Sequence, residues 1–359
     1  MFRDKKIARK IIERLQKMNL NLKIMHVCGT HQDTIVRYGL DNLLKKCGIE
    51  VIQGPGCPVC VTTPLEIEKG IRIAESGVTI ATFGDMIKVP SENKSFEKIR
   101  AEGGDIRIVY SISDAIKIAN EKEVVFFAVG FETTAPSTAI TILNEPKNFY
   151  IISCHRYIPP ALDALLGMGE IKIDGIICPG HVSTIIGVKP YIPIAKKYKI
   201  PHVIAGFEPL DVLIAIYMIA KQIEEGRSQV ENEYIRCVKY EGNEKAKEAI
   251  NSVFQPIDEK WRGFPVIKKS KMKLKKKFEE YDAEKIFEDL LNDLEEPEEP
   301  KGCRCGEILR GLIYPKDCPL FGKICNPLHP VGPCMVSIEG ACNIEYRYRY
   351  HDRDKSWNY

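Results

Sequence analysis

Lys23-Ile24-Met25-His26-Val27-Cys28-Gly29-Thr30-His31 begins as a short apolar run and ends in Gly and polar residues. The same grammar repeats to about residue 210. Each apolar run is followed by a turn rich in Gly, Pro and polar side chains, then by a more helical stretch. The runs are Lys23–Val27, Glu50–Ile52, Val78–Thr82 and Ile106–Val109, then Val124–Val129, Phe149–Ile152, Gly175–Ile177 and His202–Ala205. Their spacing is that of βα units. Near-continuous apolar strands suit a parallel sheet covered on both faces. The reading predicts an α/β chain with two similar parallel-sheet domains, 23–122 and 123–226, meeting near Asn120–Glu123.

The flanks read differently. Residues 1–22 form an amphipathic helix, with Ile7, Ile11, Ile12, Leu15 and Met18 at helical spacing. Leu210 to Glu225 reads as another amphipathic helix, closed by Gly226. Residues 227–300 read as a connecting segment and helical linker. Its Lys- and Glu-rich part carries a helical stretch around Asp282–Leu294, and Glu295–Pro300 resembles a linker. Residues 301–359 form a small, irregular, cysteine-rich domain.

Composition bounds the function. The chain has 359 residues, 44% of them hydrophobic, and a net charge of +3. That balance excludes a general nucleic-acid grip, which needs a strongly basic face. Thirteen cysteines could suggest a secreted disulfide framework, but the chain is long, the count is odd and no secretory signal is read. Asp4 and Glu13 count against a transit peptide. The longest apolar stretch, Val212 to Ala220, is too short to span a bilayer. The expectation is a soluble, cytoplasmic protein with reduced thiols.

The turns after the strands carry the chemistry. The first is Cys28-Gly29-Thr30-His31. The second is Gly54-Pro55-Gly56-Cys57-Pro58-Val59-Cys60, and the third Phe83-Gly84-Asp85. Later turns hold Gly130-Phe131-Glu132-Thr133-Thr134, Cys154-His155-Arg156, Cys178-Pro179-Gly180-His181 and Gly206-Phe207-Glu208-Pro209. Ligands of open parallel sheets bind beyond the carboxyl ends of the strands. Two such edges face to face would enclose a cleft lined with thiols, imidazoles and carboxylates. Cys57 and Cys60 have the spacing of a reversible disulfide or a metal pair. Cys28 is a candidate soft-metal ligand or nucleophile, or a buried core cysteine. His31 orients or protonates a ligand, or caps a turn. His155 and His181 read more as structural residues than as catalysts. Glu132 and Glu208 are general acids or bases, or helix N-terminal carboxylates bonded to backbone amides. Cys47 and Cys237 read as structural.

The tail holds Cys303, Cys305, Cys318, Cys325, Cys334 and Cys342 in a Gly- and Pro-rich segment with little core of its own. Thiolates on a metal are the usual device for holding such a segment together. Zinc sites favour tight cysteine pairs. Wide, irregular spacing fits an iron–sulfur cluster better.

Taken together, these segments resemble the HypD family of hydrogenase maturation proteins. The resemblance rests on Cys28-Gly29-Thr30-His31, Gly54 to Cys60, Gly130 to Thr134, Pro179-Gly180-His181-Val182-Ser183 and Gly332-Pro333-Cys334-Met335-Val336-Ser337-Ile338-Glu339-Gly340-Ala341-Cys342. It implies assembly of the Fe(CN)2CO part of the [NiFe]-hydrogenase site. The implied partners are a HypC-type small chaperone and a HypE-type cyanide donor, with the hydrogenase large subunit served indirectly. It implies a [4Fe–4S] cluster on Cys305, Cys318, Cys325 and Cys342, which match a C-x12-C-x6-C-x16-C signature. Cys303 and Cys334 fall outside that signature. Iron carrying CN and CO is the transient cargo. The implied site residues are Cys28, His31, Cys57, Cys60, Glu132 and His181, with Cys28 on the assembled iron. Two rival readings are an iron–sulfur-dependent thiol–disulfide oxidoreductase and a zinc-stabilised binding module.

Overall fold

The computed structural model describes residues 3–92 and 94–350. Eight apolar runs become eight parallel strands: β1 (Leu22–His26), β2 (Ile49–Gln53), β3 (Thr79–Phe83), β4 (Ile106–Val109), β5 (Val124–Gly130), β6 (Phe149–His155), β7 (Gly175–Pro179) and β8 (His202–Ala205). A short β9 (Val230–Asn232) joins β8 in parallel. The fold is α/β, with two parallel sheets and a cysteine-rich C-terminal part.

The strands do not divide in sequence order. One sheet runs β2-β1-β7-β8-β9 and the other β4-β3-β5-β6. The expected split at 120–123 therefore falls inside the second sheet, where Thr79 pairs with Val124. The chain leaves the first sheet after β2, builds the whole second sheet, and returns to lay β7 beside β1. Ile24 is in register with Gly175 and His26 with Ile177. Strand pattern alone reports pleat and burial, which both sheets share.

The segment 227–300 is also corrected. It contains a helix, Glu244–Val253, and an antiparallel hairpin of β10 (Phe254–Lys260) and β11 (Val266–Leu274). The helical stretch expected at Asp282–Leu294 is two single turns, Ala283–Ile286 and Glu288–Leu291, broken at Phe287. The lysine-rich sequence of β11 looks like a solvated helix face. It forms a strand because β6 offers it an edge: Ser153 Oγ donates to the Met272 carbonyl at 2.6 Å, and Tyr157 N donates to the Ser270 carbonyl at 2.9 Å.

That docking buries charge. Lys271 is 5% exposed and Arg156 1% exposed, and both meet the buried Glu66. Arg156 Nη2 lies 2.5 Å from Glu66 Oε2, and Lys271 Nζ lies 3.0 Å from Oε1. Lys271 also pairs with Glu259 at 2.9 Å and Glu284 at 3.7 Å. Glu66 accepts from Thr63 N as well, in a capping box on the helix Pro64–Glu75. Burial opposes its ionisation, but the charges of Arg156 and Lys271 hold its carboxyl well below the usual range.

The tail has no core apart from the rest. Ile308, Leu309, Phe321, Met335 and Ile344 are buried, and all but Ile344 belong to one apolar cluster with Cys57, Ile67 and Phe127. The N-terminal helix Lys5–Lys17 starts on Asp4, which accepts from Lys6 N at 2.8 Å, and buries Leu15 in the cluster that holds Leu213 and Ile216. Among the described residues no helix is long and apolar enough to cross a membrane.

Glu66→Gln should destabilise the fold by about 3–5 kcal/mol, because two buried cations lose their shared anion. Chemical denaturation at pH 7 reads this directly. A depressed folded-state pKa gives stability that is present at neutral pH and declines as pH falls below the ordinary carboxylate range. The gap between wild type and Glu66→Gln should therefore narrow on acidification.

Candidate functional site

The carboxyl ends of both sheets and the tail meet at one cleft of about 260 Å³. Val27 and Cys28 follow β1, and Gly56 and Pro58 follow β2. Phe131 and Thr133 follow β5, and His181 follows β7. Glu339 enters from the tail. The expected face-to-face strand ends are present.

Cys28 caps the helix Gly29–Arg37 in an extended conformation. It is buried, and burial, with the nearby Glu339 carboxyl, pushes its thiol up to about 11, against hydrogen bonds from the His31 and Thr30 backbone. An unligated Cys28 is therefore a neutral thiol at pH 7, and a bound metal ion would deprotonate it. Glycines allow the crowding around it. A Cβ on Gly56 would lie 2.2 Å from Cys28 N, and one on Gly29 would lie 2.6 Å from the Glu339 carbonyl oxygen.

Cys57 and Cys60 are joined as a disulfide across the start of the helix Pro58–Val61, with Cα atoms 5.3 Å apart. Both are fully buried, and only Pro58 of this segment reaches the cleft. His181 also faces the cleft, stacked on Phe207 at 3.9 Å. His31 does not. Its Nε2 donates to the carbonyls of Gly206 at 2.9 Å and Ala205 at 3.3 Å, and burial pushes it down to about 4. It is a neutral imidazole behind Cys28, tying the helix Gly29–Arg37 to the end of β8.

Glu132 is 1% exposed, and its Oε1 accepts from Ile158 N at 3.0 Å, at the start of the helix Ile158–Met168. Burial pushes it up to about 8. It lies behind the cleft wall formed by its neighbours Phe131 and Thr133. Glu208 is a helix N-cap, in a capping box with Asp211 and paired with Arg3. His155 is a core residue bonded to Thr138 Oγ1 at 2.9 Å. Cys154, Cys178 and Cys47 are buried free thiols, and Cys237 is exposed.

All six tail cysteines line a second cavity, with Ile308, Leu320, Phe321 and Met335. Cys303 and Cys334 line it alongside Cys305, Cys318, Cys325 and Cys342, so position does not separate the expected four from the other two. Val331 N donates to Cys325 Sγ at 3.3 Å. Among the described residues no three His, Cys, Asp or Glu side chains are placed to share a metal ion.

Two site residues, Glu339 and Arg262, escape sequence reading, and Asp85 is quoted at the third turn without a role. Glu339 sits within a quoted motif but has nothing local to single it out. Its Oε1 accepts from Thr30 Oγ1 at 3.4 Å, and burial raises its pKa. Asp85 accepts from Ser337 Oγ at 3.3 Å, next to Glu339. Arg262 is buried beside the tail, in a segment read as a connector.

A family model described as "HypD: Hydrogenase formation hypA family" matches residues 4–349. The chain belongs to the HypD family. A Methanocaldococcus jannaschii protein provisionally assigned to hydrogenase expression/formation is 51% identical, covering 96% of this chain and 98% of that protein. The hydrogenase maturation factor HypD2 of Bradyrhizobium diazoefficiens is 43% identical, over 99% of this chain and 97% of its own. The HypD of Cupriavidus necator is 41% identical, over 98% and 97%. The chain is thus similar to hydrogenase maturation factors along its whole length.

Gly29→Ala should lift the tail off the first sheet, since a methyl carbon cannot sit 2.6 Å from the Glu339 carbonyl. Overpacking of this kind costs roughly 1–3 kcal/mol. Limited proteolysis should cut the variant after Gly302 faster than wild type. Equal cutting and an equal melting temperature would show that the contact is loose.

Proposed function

We propose that this chain is the scaffold on which the Fe(CN)2CO unit of [NiFe]-hydrogenase is assembled in the cytoplasm. It works with a HypC-type chaperone and a HypE-type cyanide donor, and reaches the hydrogenase large subunit through them. One observation carries the reading: in a chain of this family, Cys28 lies at a cleft built from both sheets and the tail, which Gly56 and Pro58 on either side of Cys57 also line. Iron is the cargo. Low-spin iron with CN and CO takes soft ligands, and the Cys28 thiolate is one. Gly29 and Gly56 let the tail and the dithiol segment pack against it, and the cleft of about 260 Å³ beside it gives a second protein room to bring another thiolate. His181 and Glu339 line the same cleft and can hydrogen-bond to bound cyanide as outer groups.

Cyanide delivery from a carrier thiocyanate needs two electrons. The Cys57–Cys60 dithiol supplies them. The carrier S–C bond breaks, cyanide passes to iron, and the Cys57–Cys60 S–S bond forms. Of the two thiol protons, one goes to the carrier sulfur and one is released. Restoring the dithiol takes two electrons and two protons. The tail supports a source nearby: six thiols around one cavity suit a [4Fe–4S] cluster. Cys305, Cys318, Cys325 and Cys342 would hold it. Such a cluster supplies single electrons, replenished by an external one-electron donor. The disulfide itself favours the thiol–disulfide oxidoreductase as second reading. Cys28 separates the two, because an oxidoreductase turns over without it.

Cys28→Ser keeps the size but offers a hard, high-pKa oxygen. The variant should fold, keep its visible absorbance and bind the small chaperone. It should lose the CN and CO infrared bands of the anaerobically purified complex and fail to support hydrogenase maturation. Bands at normal intensity would move the iron to Cys57 or Cys60.

Single Ala replacements of Cys305, Cys318, Cys325 or Cys342 should each abolish most of the brown colour of anaerobically purified protein. Cys303→Ala and Cys334→Ala should keep it. A colourless Cys334→Ala beside a brown Cys342→Ala would overturn the ligand set.

A further inference from the structure

We propose that Arg262 is the fixed counter-cation of the tail cysteine cavity, held where that cavity meets the dithiol segment. The inference rests on the cluster reading above. It starts from a buried charge. Arg262 is 1% exposed, and its Nη1 and Nη2 have no hydrogen-bond partner among the described residues. Among the described residues its one ion pair runs from Nε to the half-exposed Glu299, at 3.4 Å. A buried cation with so little compensation costs several kcal/mol. An anionic neighbour would offset that cost, and a cavity of thiolates is anionic once a metal is bound.

Its position is set from both sides. Arg262 N donates to the Val61 carbonyl at 2.9 Å, one residue beyond Cys60. On the other side, a Cβ on Gly263 would lie 2.3 Å from Gly306 Cα, next to Cys305. Arg310 Nη1 donates to the Gly263 carbonyl at 3.1 Å. The turn is also pinned from behind. Trp261 is fully buried, donates from Nε1 to Ser270 Oγ at 2.9 Å, and stacks on Phe131. The turn 261–264 is thus wedged between the helices Pro58–Val61 and Cys305–Leu309. The second of these helices opens with Cys305, which lines the cysteine cavity, so the turn that carries Arg262 lies at the edge of that cavity.

A positive charge beside a cluster favours its reduced, more negative state, and net charge and hydrogen bonds are among the determinants of such potentials. The test is a redox titration, followed by visible absorbance and electron paramagnetic resonance, of full-length protein purified anaerobically. Arg262→Gln should lower the midpoint potential of the cluster, and Arg262→Lys should keep it near the wild-type value. Retention of the cluster in the Lys but not the Gln variant would also support the role of charge. Wild-type and Gln midpoints that coincide would overturn the inference while leaving the cluster reading intact. A Lys variant that falls with Gln, or loss of the cluster from both, would show that the guanidinium is required for packing and not as a counter-charge. A wild-type protein without a cluster would sink the assembly reading and this inference with it.

Discussion

The parallel pairing of β1 with β7 is the constraint on which the site depends. It joins residues far apart in the chain, and Lys23 N reinforces it by donating to Asp174 Oδ2 at 2.8 Å. With β1 central in its sheet, Cys28 emerges beside Pro179–His181 on one flank and Gly54–Cys60 on the other. The second sheet, built between the two halves of the first, turns its own strand ends toward the same space and contributes Phe131 and Thr133. Without that excursion and return, the motifs would lie along separate edges.

Close backbone approach does the rest. Gly29 and Gly56 let the tail and the dithiol segment come within contact of Cys28, where any side chain would collide. The tail shares the main apolar cluster. The cysteine cavity, the disulfide and the Cys28 cleft are therefore neighbours in one packed body. Burial keeps the Cys28 thiol protonated and the His31 imidazole neutral. Both groups are therefore uncharged at neutral pH.

Charge is handled by a different device on the far side of the dithiol. The helix after Cys60 begins at a capping box whose Glu66 is also the anion for Arg156 and Lys271. The start of that helix, β6 and the β10–β11 hairpin are thereby fastened at one point. The cost of separating buried charges makes this joint stiff, and it begins three residues after Cys60, at Thr63.

Much of this was legible in the chain itself. Apolar runs ending in Gly and polar residues marked eight strands, because burial on both faces leaves a local imprint. The turn motifs marked Cys28, Cys57 and Cys60, and the crowded thiols marked the tail. Each of these depends on neighbouring residues alone. Strand partners did not, since any apolar strand can pair with any other, and the sequential division into halves was wrong for that reason. The hairpin strand β11 was hidden because its lysines read as solvated until Glu66, Glu259 and Glu284 surround Lys271. Glu339 and Arg262 look like ordinary surface charges in sequence, and only packing removes them from water. Local periodicity thus settled the class of fold, and motif chemistry singled out candidate side chains. Tertiary structure alone decided which of them meet, because burial and electrostatic pairing depend on distances in space that sequence separation does not encode.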